Sequence, residues 1–482
     1  MLHLYPDIDK RTQAAAVQNI TYKLTRNFMP NQTVSKSLPT SLGLALMLAF
    51  GASHSAQAQS LQELYDAARN YDALYLSASA LADSAQYKAA QSDALGRPSV
   101  GLGVTATETQ VIPPNRYVSG VKVAGDRVGS TTYQSGLTAR YAIFNPANAL
   151  TIEQAQRGLS SSKADLEAAE QDLIVRVSQA YFDVLASKDA LGTTKSSKAA
   201  IAEQLASAKR NFEVGTATIT DTREAQARYD LANAAEIAAD NDLRIKGVTL
   251  DQLVGRSGVA PKPFAVPVAL PAVLPLNIDP WVTQADEMHP LVRKARLGLE
   301  VAKLETAKAR ASEGLSVDLT GTLGALNAHG SASTTGQGTT ASGSMVVSIT
   351  YPLYSGGAMQ NRIKETLSLE EKARNDLEYA RRSVAEGTRR AFLGVQSLTA
   401  QVKALEAAES SSKLALDATQ LGYKVGVRVN LDVLNAQTQL FTTQRDLAKA
   451  RYEVVQGSLR LRQASGQLKP ADVTAVNQLL AK

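Results

Sequence analysis

The sequence predicts a mixed α/β membrane protein made of two copies of one unit, with four membrane-crossing β-strands and two long helical hairpins per chain. Three observations lead there. A motif recurs 211 positions apart: Phe212-Glu213-Val214-Gly215, Thr220-Asp221 and Ala225-Gln226 return as Tyr423-Lys424-Val425-Gly426, Leu431-Asp432 and Ala436-Gln437. Helical patterning runs without a break for about 67 residues before each motif. Four segments of about ten residues alternate apolar and polar side chains with period two. A period this long marks a duplicated domain rather than a solenoid array.

The N-terminus sets the compartment. Leu42–Ala52 is an apolar run of 11 residues, preceded by Lys36 and followed by Ala56-Gln57-Ala58. A basic flank, a short apolar core and a small-residue site describe a secretory signal, too short for a membrane span. Residues 1–58 are therefore expected to be an extension and signal, cleaved after Ala58, with Met29 opening a signal of ordinary length. The chain has no cysteine, which excludes disulfides, thiol catalysis and a lipidated N-terminal Cys. Its formal charge of +6 comes from 51 Lys/Arg against 45 Asp/Glu, and five of those bases against two acids lie in residues 1–58. The rest is close to balanced, with no basic cluster interleaved with aromatics, so nucleic acid is not an expected partner.

In the first unit, residues 61–95 read as a helix broken by Gly96 and Pro98. A strand follows at about 98–108, where Val100, Leu102, Val104 and Ala106 alternate with Gly and Thr. Residues 110–131, rich in Pro and Gly, read as a loop, and a second strand covers about 132–144. A helix from about Ala147 to Glu213 carries Leu159, Leu166, Leu173 and Ala180 at heptad spacing, with Val177, Val184 and Leu191 as a second seam. The tip at 214–221 and a returning helix complete residues 59–258. Five prolines from Pro261 to Pro275 mark a linker over 259–279. The second unit, 280–467, repeats the order: a helix over 280–313, strands at about 315–325 and 344–354, a long helix from about 358, a tip at 425–432 and a returning helix. Residues 468–482 form a C-terminal segment.

The four strands have an unbroken apolar face, tyrosines near one end, and a polar face that holds Arg140 and Asp318. That is the pattern of transmembrane β-strands, which must close because an open edge in lipid strands backbone polar groups. About eight strands are the practical minimum for closure, so the chain must oligomerise: two copies supply eight, three supply twelve.

At the tips, Gly215 and Gly426 can supply the left-handed residue that ends a helix. Asp221, with Glu224 three residues on, can cap the returning helix as a capping box. No nucleophile elbow, P-loop, dinucleotide fingerprint or metal spacing is present, and His289 and His329 are isolated, so neither an enzyme nor a cofactor is expected.

This order of elements resembles the TolC family of trimeric outer-membrane ducts. Gln179-Ala180-Tyr181-Phe182-Asp183-Val184-Leu185 is similar to a stretch of the family's first long helix. The two tip motifs, and Tyr351-Pro352-Leu353-Tyr354-Ser355-Gly356-Gly357 at the strand-to-helix passage, match as well. The resemblance implies a 12-stranded barrel shared by a homotrimer, a coiled-coil tunnel across the periplasm, and a collar formed by the linker and the C-terminal segment. It implies an outer-membrane, Gram-negative location in contact with lipid, and the role of a passive exit duct for a tripartite efflux pump or type I secretion system. The implied partners are a periplasmic adaptor (membrane fusion) protein and an inner-membrane pump of ABC, RND or MFS type. It further implies a periplasmic gate in which Asp432 forms an acidic ring, weakened because Asn435 is an amide. Arg428 would bond towards Thr220 and Tyr423 towards Asp221. Three close carboxylates would favour cations. A trimeric coiled-coil structural or adhesive surface protein is the alternative, but its strands should be C-terminal and its helices should lack paired tips.

Overall fold

Long helices and a small sheet divide the molecule. The computed structural model describes residues 58–481 except 113, 115, 124–126, 266–269, 272–274 and 331–336. The expected signal sequence lies outside the described residues, apart from Ala58 at its end. The elements in order are α1 (Leu61–Arg69), α2 (Ala73–Asp93), a 3-10 turn (Ala94–Gly96), β1 (Ser99–Val111), β2 (Arg116–Val118), β3 (Val121–Val123), β4 (Val128–Phe144), α3 (Pro146–Glu213), α4 (Ile219–Val254), α5 (Asp279–Met288), α6 (Pro290–Ala311), β5 (Ser316–Gly330), β6 (Gly338–Thr350), α7 (Ala358–Lys424), α8 (Asn430–Ala464) and α9 (Pro470–Asn477).

Both helices expected ahead of the strands are split. In the first, Asn70 caps the end of α1 and the Asp72 carboxylate accepts the Tyr75 N–H at 2.8 Å, restarting the chain as α2. Asp72 is also gripped by Arg176 of α3 through two bonds of 2.9 Å, which hold its carboxyl below the usual range. In the second, Pro290 forces His289 into extended backbone and ends α5. Burial pushes the His289 imidazole pKa down, and its Nδ1 accepts the Leu291 N–H.

The sheet has the order β1-β4-β5-β6, antiparallel throughout. Its register puts Leu102, Leu137 and Leu323 in one row and Val100, Ala139, Gly321 and Met345 in the next, all on one face. Val100, Leu102 and Val104 of β1 are 71–75% exposed, so among the described residues this apolar face is uncovered in a single chain. Thr138, Thr322 and Ser344 share a row on the opposite, polar face, where the two hydroxyls of Thr322 and Ser344 lie 2.7 Å apart. Strand ends differ from expectation. Extra backbone pairing extends β1 to Val111, starts β4 at Val128, carries β5 to Gly330 and starts β6 at Gly338, while β2 and β3 make a small hairpin inside the expected loop. β6 stops at Thr350, short of 354, because Pro352 cannot donate to the ladder. Tyr351 and Tyr354 therefore lie beyond the sheet, exposed just before the αL glycines Gly356 and Gly357.

α3 spans 68 residues, about 100 Å at 1.5 Å per residue. Leu173, Val177, Ala180, Val184 and Leu191 of the expected seams are buried, whereas Leu159 and Leu166, nearer the sheet, are only partly covered. The heart of the molecule sits half-way along α3. Phe182 packs on Phe264 of the linker (5.5 Å) and Tyr452 of α8 (5.7 Å), and those two rings stack at 4.8 Å. The Tyr181 hydroxyl donates to the Lys262 carbonyl at 2.8 Å and lies 3.3 Å from that of Gln59, and burial pushes its pKa up. Tyr452 donates to the Asp189 carboxylate at 2.7 Å. The linker also pairs with the chain end: Ala265 N–H donates to Leu479 O (2.9 Å) and Ala481 N–H to Pro263 O (2.8 Å).

Nearer the sheet, Glu305 of α6 ties three helices together. It accepts from Gln154 of α3 (3.0 Å), Lys308 of α6 (2.6 Å) and Arg362 of α7 (2.7 Å). Burial opposes its charge, but these donors outweigh burial and lower its pKa from 4.5 to about 2. Because the folded pKa lies below the ordinary value, the stabilisation is complete above about 4.5 and is lost as pH falls towards about 2.

Two predictions follow from these junctions. Phe182→Ala should cost about 3–5 kcal/mol, read as a lowered thermal midpoint in detergent. Glu305→Gln should lower the midpoint at neutral pH, and its deficit against wild type should shrink as the pH is taken down to 2.5 or below; a deficit independent of pH would contradict the assignment.

Candidate functional site

The two tips are where the sequence repeats most closely, and they are built alike. α3 ends at Glu213 and the chain reverses through Gly215 at φ +78°; α7 ends at Lys424 and reverses through Gly426 at φ +82°. Only glycine takes this backbone without strain. In the first tip Thr216 and Ala217 donate back to Asn211 O; in the second Val427 and Arg428 donate to Gly422 O.

The returning helices start differently. The cap of α4 is Thr218, not Asp221 as the spacing to Glu224 suggested. The Thr218 hydroxyl accepts the Asp221 N–H at 3.2 Å, while the Asp221 carboxylate accepts from the Thr218 N–H (2.9 Å) and hydroxyl (2.8 Å). The helix thus begins at Ile219, and Asp221 is the third residue of a complete capping box. In α8 the cap position is Val429, which has no side-chain acceptor. Asp432 receives only a 3.4 Å bond from the Val429 N–H, so its carboxylate is held less tightly than that of Asp221.

Within one chain the expected pairs are replaced by others. Arg428 Nη1 lies 3.6 Å from Asp432 Oδ2, on its own tip, rather than reaching Thr220, which is exposed. Gly422 permits this: a Cβ there would stand 2.8 Å from Arg428 Cγ. Tyr423 accepts from Asn211 Nδ2 at 3.2 Å instead of meeting Asp221, whose carboxylate is committed to its cap. Asn435 accepts from Arg228 Nη2 of α4 at 3.0 Å. Asn430, buried at the start of α8, accepts from Gln204 of α3. Gln204, Asn211 and Arg228 were not legible from sequence, because each is one of many polar residues along a long helix. Beneath these bonds Leu434 is fully buried among Ile201, Leu205, Ala208 and Ala225. Polar links between the repeats therefore ride on an apolar seam.

A cavity of about 820 Å³ lies elsewhere, at the α1–α2 break; of its charged lining residues, Asp72 and Arg176 are bonded to each other and Asp183 lies 3.7 Å from Lys246.

Comparison with known proteins places this architecture. A family model described as outer membrane efflux protein matches residues 64–256 and 281–467. The chain belongs to that family. It is 29% identical to outer membrane protein TolC of Escherichia coli strain K12 over 460 residues, 93% of this chain and 90% of that one. It is 30% identical to alkaline protease secretion protein AprF of Pseudomonas aeruginosa over 316 residues, 64% of each chain. In fold it is similar to the outer membrane protein VceC of Vibrio cholerae (TM-score 0.71, 20% identity, 84% of this chain and 96% of that one). It is likewise similar to the CmeC outer membrane channel of Campylobacter jejuni (TM-score 0.72, 15% identity, 94% and 98%). As an outer membrane efflux protein, the chain is an outer-membrane channel of the efflux type, combining barrel strands with a helical tunnel. The adhesive alternative has no such support.

The capping assignment is testable at the first tip. Thr218→Ala should cost about 1 kcal/mol locally and speed exchange of the Asp221 amide, whereas Thr220→Ala should leave that amide unchanged.

Proposed function

We propose that this chain is the passive exit duct of a tripartite efflux pump or type I secretion system, a homotrimer whose periplasmic mouth is closed by the two helix tips. The supporting observation is a pair of unpartnered faces. Among the described residues, β1 and β6 leave both edges of the sheet open. α3 packs on α8, which leaves α4 and α7 at the two sides of the chain. Each shows an exposed heptad stripe: Leu231, Ala238 and Ile245 on α4, and Leu393, Ala400, Ala407, Leu414 and Leu421 on α7. An α4 stripe meeting the α7 stripe of the next copy is a head-to-tail contact, and three such steps close a twelve-stranded barrel above and a tunnel below.

In this reading the sheet's apolar face meets outer-membrane lipid and the helices extend into the periplasm. The segment before Gln59 is the export signal. The duct binds no nucleotide, so energy comes from an inner-membrane pump of ABC, RND or MFS type, joined by a periplasmic adaptor. The gate comprises Asp432, Asn435, Arg428, Tyr423, Thr220 and Asp221, turned by Gly215 and Gly426. Solvent-accessible ion pairs and hydrogen bonds contribute only about 0–1 kcal/mol each, so a docking partner can break them while the apolar seams persist.

Two measurements test this. Leu231 lies 12 residues into α4 from Ile219 and Leu414 lies 10 before the end of α7, so they stand at similar heights above the tips. Leu231→Cys with Leu414→Cys should cross-link detergent-extracted protein into a covalent trimer; monomers alone would contradict the contact. In planar bilayers wild type should give small currents that Arg428→Ser enlarges, and silent bilayers from a verified trimer would argue against a gated duct.

A further inference from the structure

We infer that Arg228 sets the ion preference of the mouth, offsetting the Asp432 carboxylates so that the closed duct discriminates little between cations and anions. This rests on the gate reading above. Asp432 and Asn435 are three residues apart on α8, hence neighbours one turn apart, about 5–6 Å between Cβ atoms. Arg228, reaching across from α4, donates to the exposed Asn435 amide at 3.0 Å, and this bond carries its guanidinium to that turn.

The chemistry of the acceptor decides the consequence. An amide oxygen orients a guanidinium but carries no charge to cancel it, and arginine stays protonated in any accessible setting. Asp432 already has Arg428 of its own tip at 3.6 Å. Lys424 and Arg428 are the bases of the second tip between residues 424 and 435, and Asp432 is its one acid. Along the first tip, residues 209–230, Lys209, Arg210, Arg223 and Arg228 balance Glu213, Asp221, Glu224 and Asp230. Residues 209–230 and 424–435 together therefore carry six bases to five acids per copy, which is not the anionic funnel a ring of Asp432 alone would make. A near-neutral constriction admits anionic cargo that three unopposed carboxylates would repel, and it binds multivalent cations weakly.

The test is the cation-to-anion permeability ratio of the purified trimer in planar bilayers under a KCl gradient, for wild type, Arg228→Gln, Arg228→Lys and Asp432→Asn. Wild type and Arg228→Lys should lie near unity. Arg228→Gln should move the ratio towards cations relative to wild type, and Asp432→Asn should move it towards anions. An Arg228→Gln ratio equal to wild type, alongside a shifted Asp432→Asn, overturns the role of Arg228 while keeping the gate. If neither substitution moves the ratio, the tips do not form the constriction, and both readings fail.

Discussion

The Tyr181–Phe182 pair at the middle of α3 is the constraint on which the rest of the structure depends. A helix of 68 residues has no means of its own to fix where the chain's other segments cross it. Here Tyr181 draws the Lys262 carbonyl of the linker and the Gln59 carbonyl of the N-terminal segment to one point. Phe182 stacks beside it on Phe264 and Tyr452, bringing the linker and the second repeat's returning helix to the same level. The linker then pairs with the chain end at Leu479 and Ala481. Segments remote in sequence thus meet at a single buried aromatic cluster, and both hairpins hang from it at matched heights.

That matching is what lets the tips act together. With α3 and α8 locked at the cluster, Gln204 reaches Asn430, Asn211 reaches Tyr423, and Arg228 reaches Asn435. The division of strength is physical. Aromatic packing at the junction is worth several kcal/mol per ring when removed, whereas the exposed Arg228–Asn435 bond and Arg428–Asp432 ion pair at the tips are each worth about 1 kcal/mol or less. A firm junction and a weakly held end let the exposed tip contacts break without disturbing the packed core.

The sheet shows the same economy. Its apolar face is continuous across Leu102, Leu137 and Leu323, yet among the described residues no helix covers it and both edges are open in one chain. Lipid covers the face in an outer-membrane channel, and neighbouring copies must supply the missing edge partners.

Much of this was determined by the sequence itself. The duplication, the four alternating strands, the two helices of about 67 residues and the left-handed glycines at 215 and 426 all follow from local periodicity and backbone sterics, which the chain carries wherever it folds. Local rules also misplaced some boundaries. Thr218 outcompeted Asp221 as the cap, Asp72 and Pro290 split helices that looked continuous, and β6 ended early at Pro352. What only the tertiary structure decided is which distant polar residues meet. Nothing local to Arg228 or Asn211 distinguishes it from any solvated residue on a long helix. Their partners are more than 200 positions away and are brought near by the aromatic junction, whose geometry depends on the crossing of whole helices rather than on any one stretch of chain.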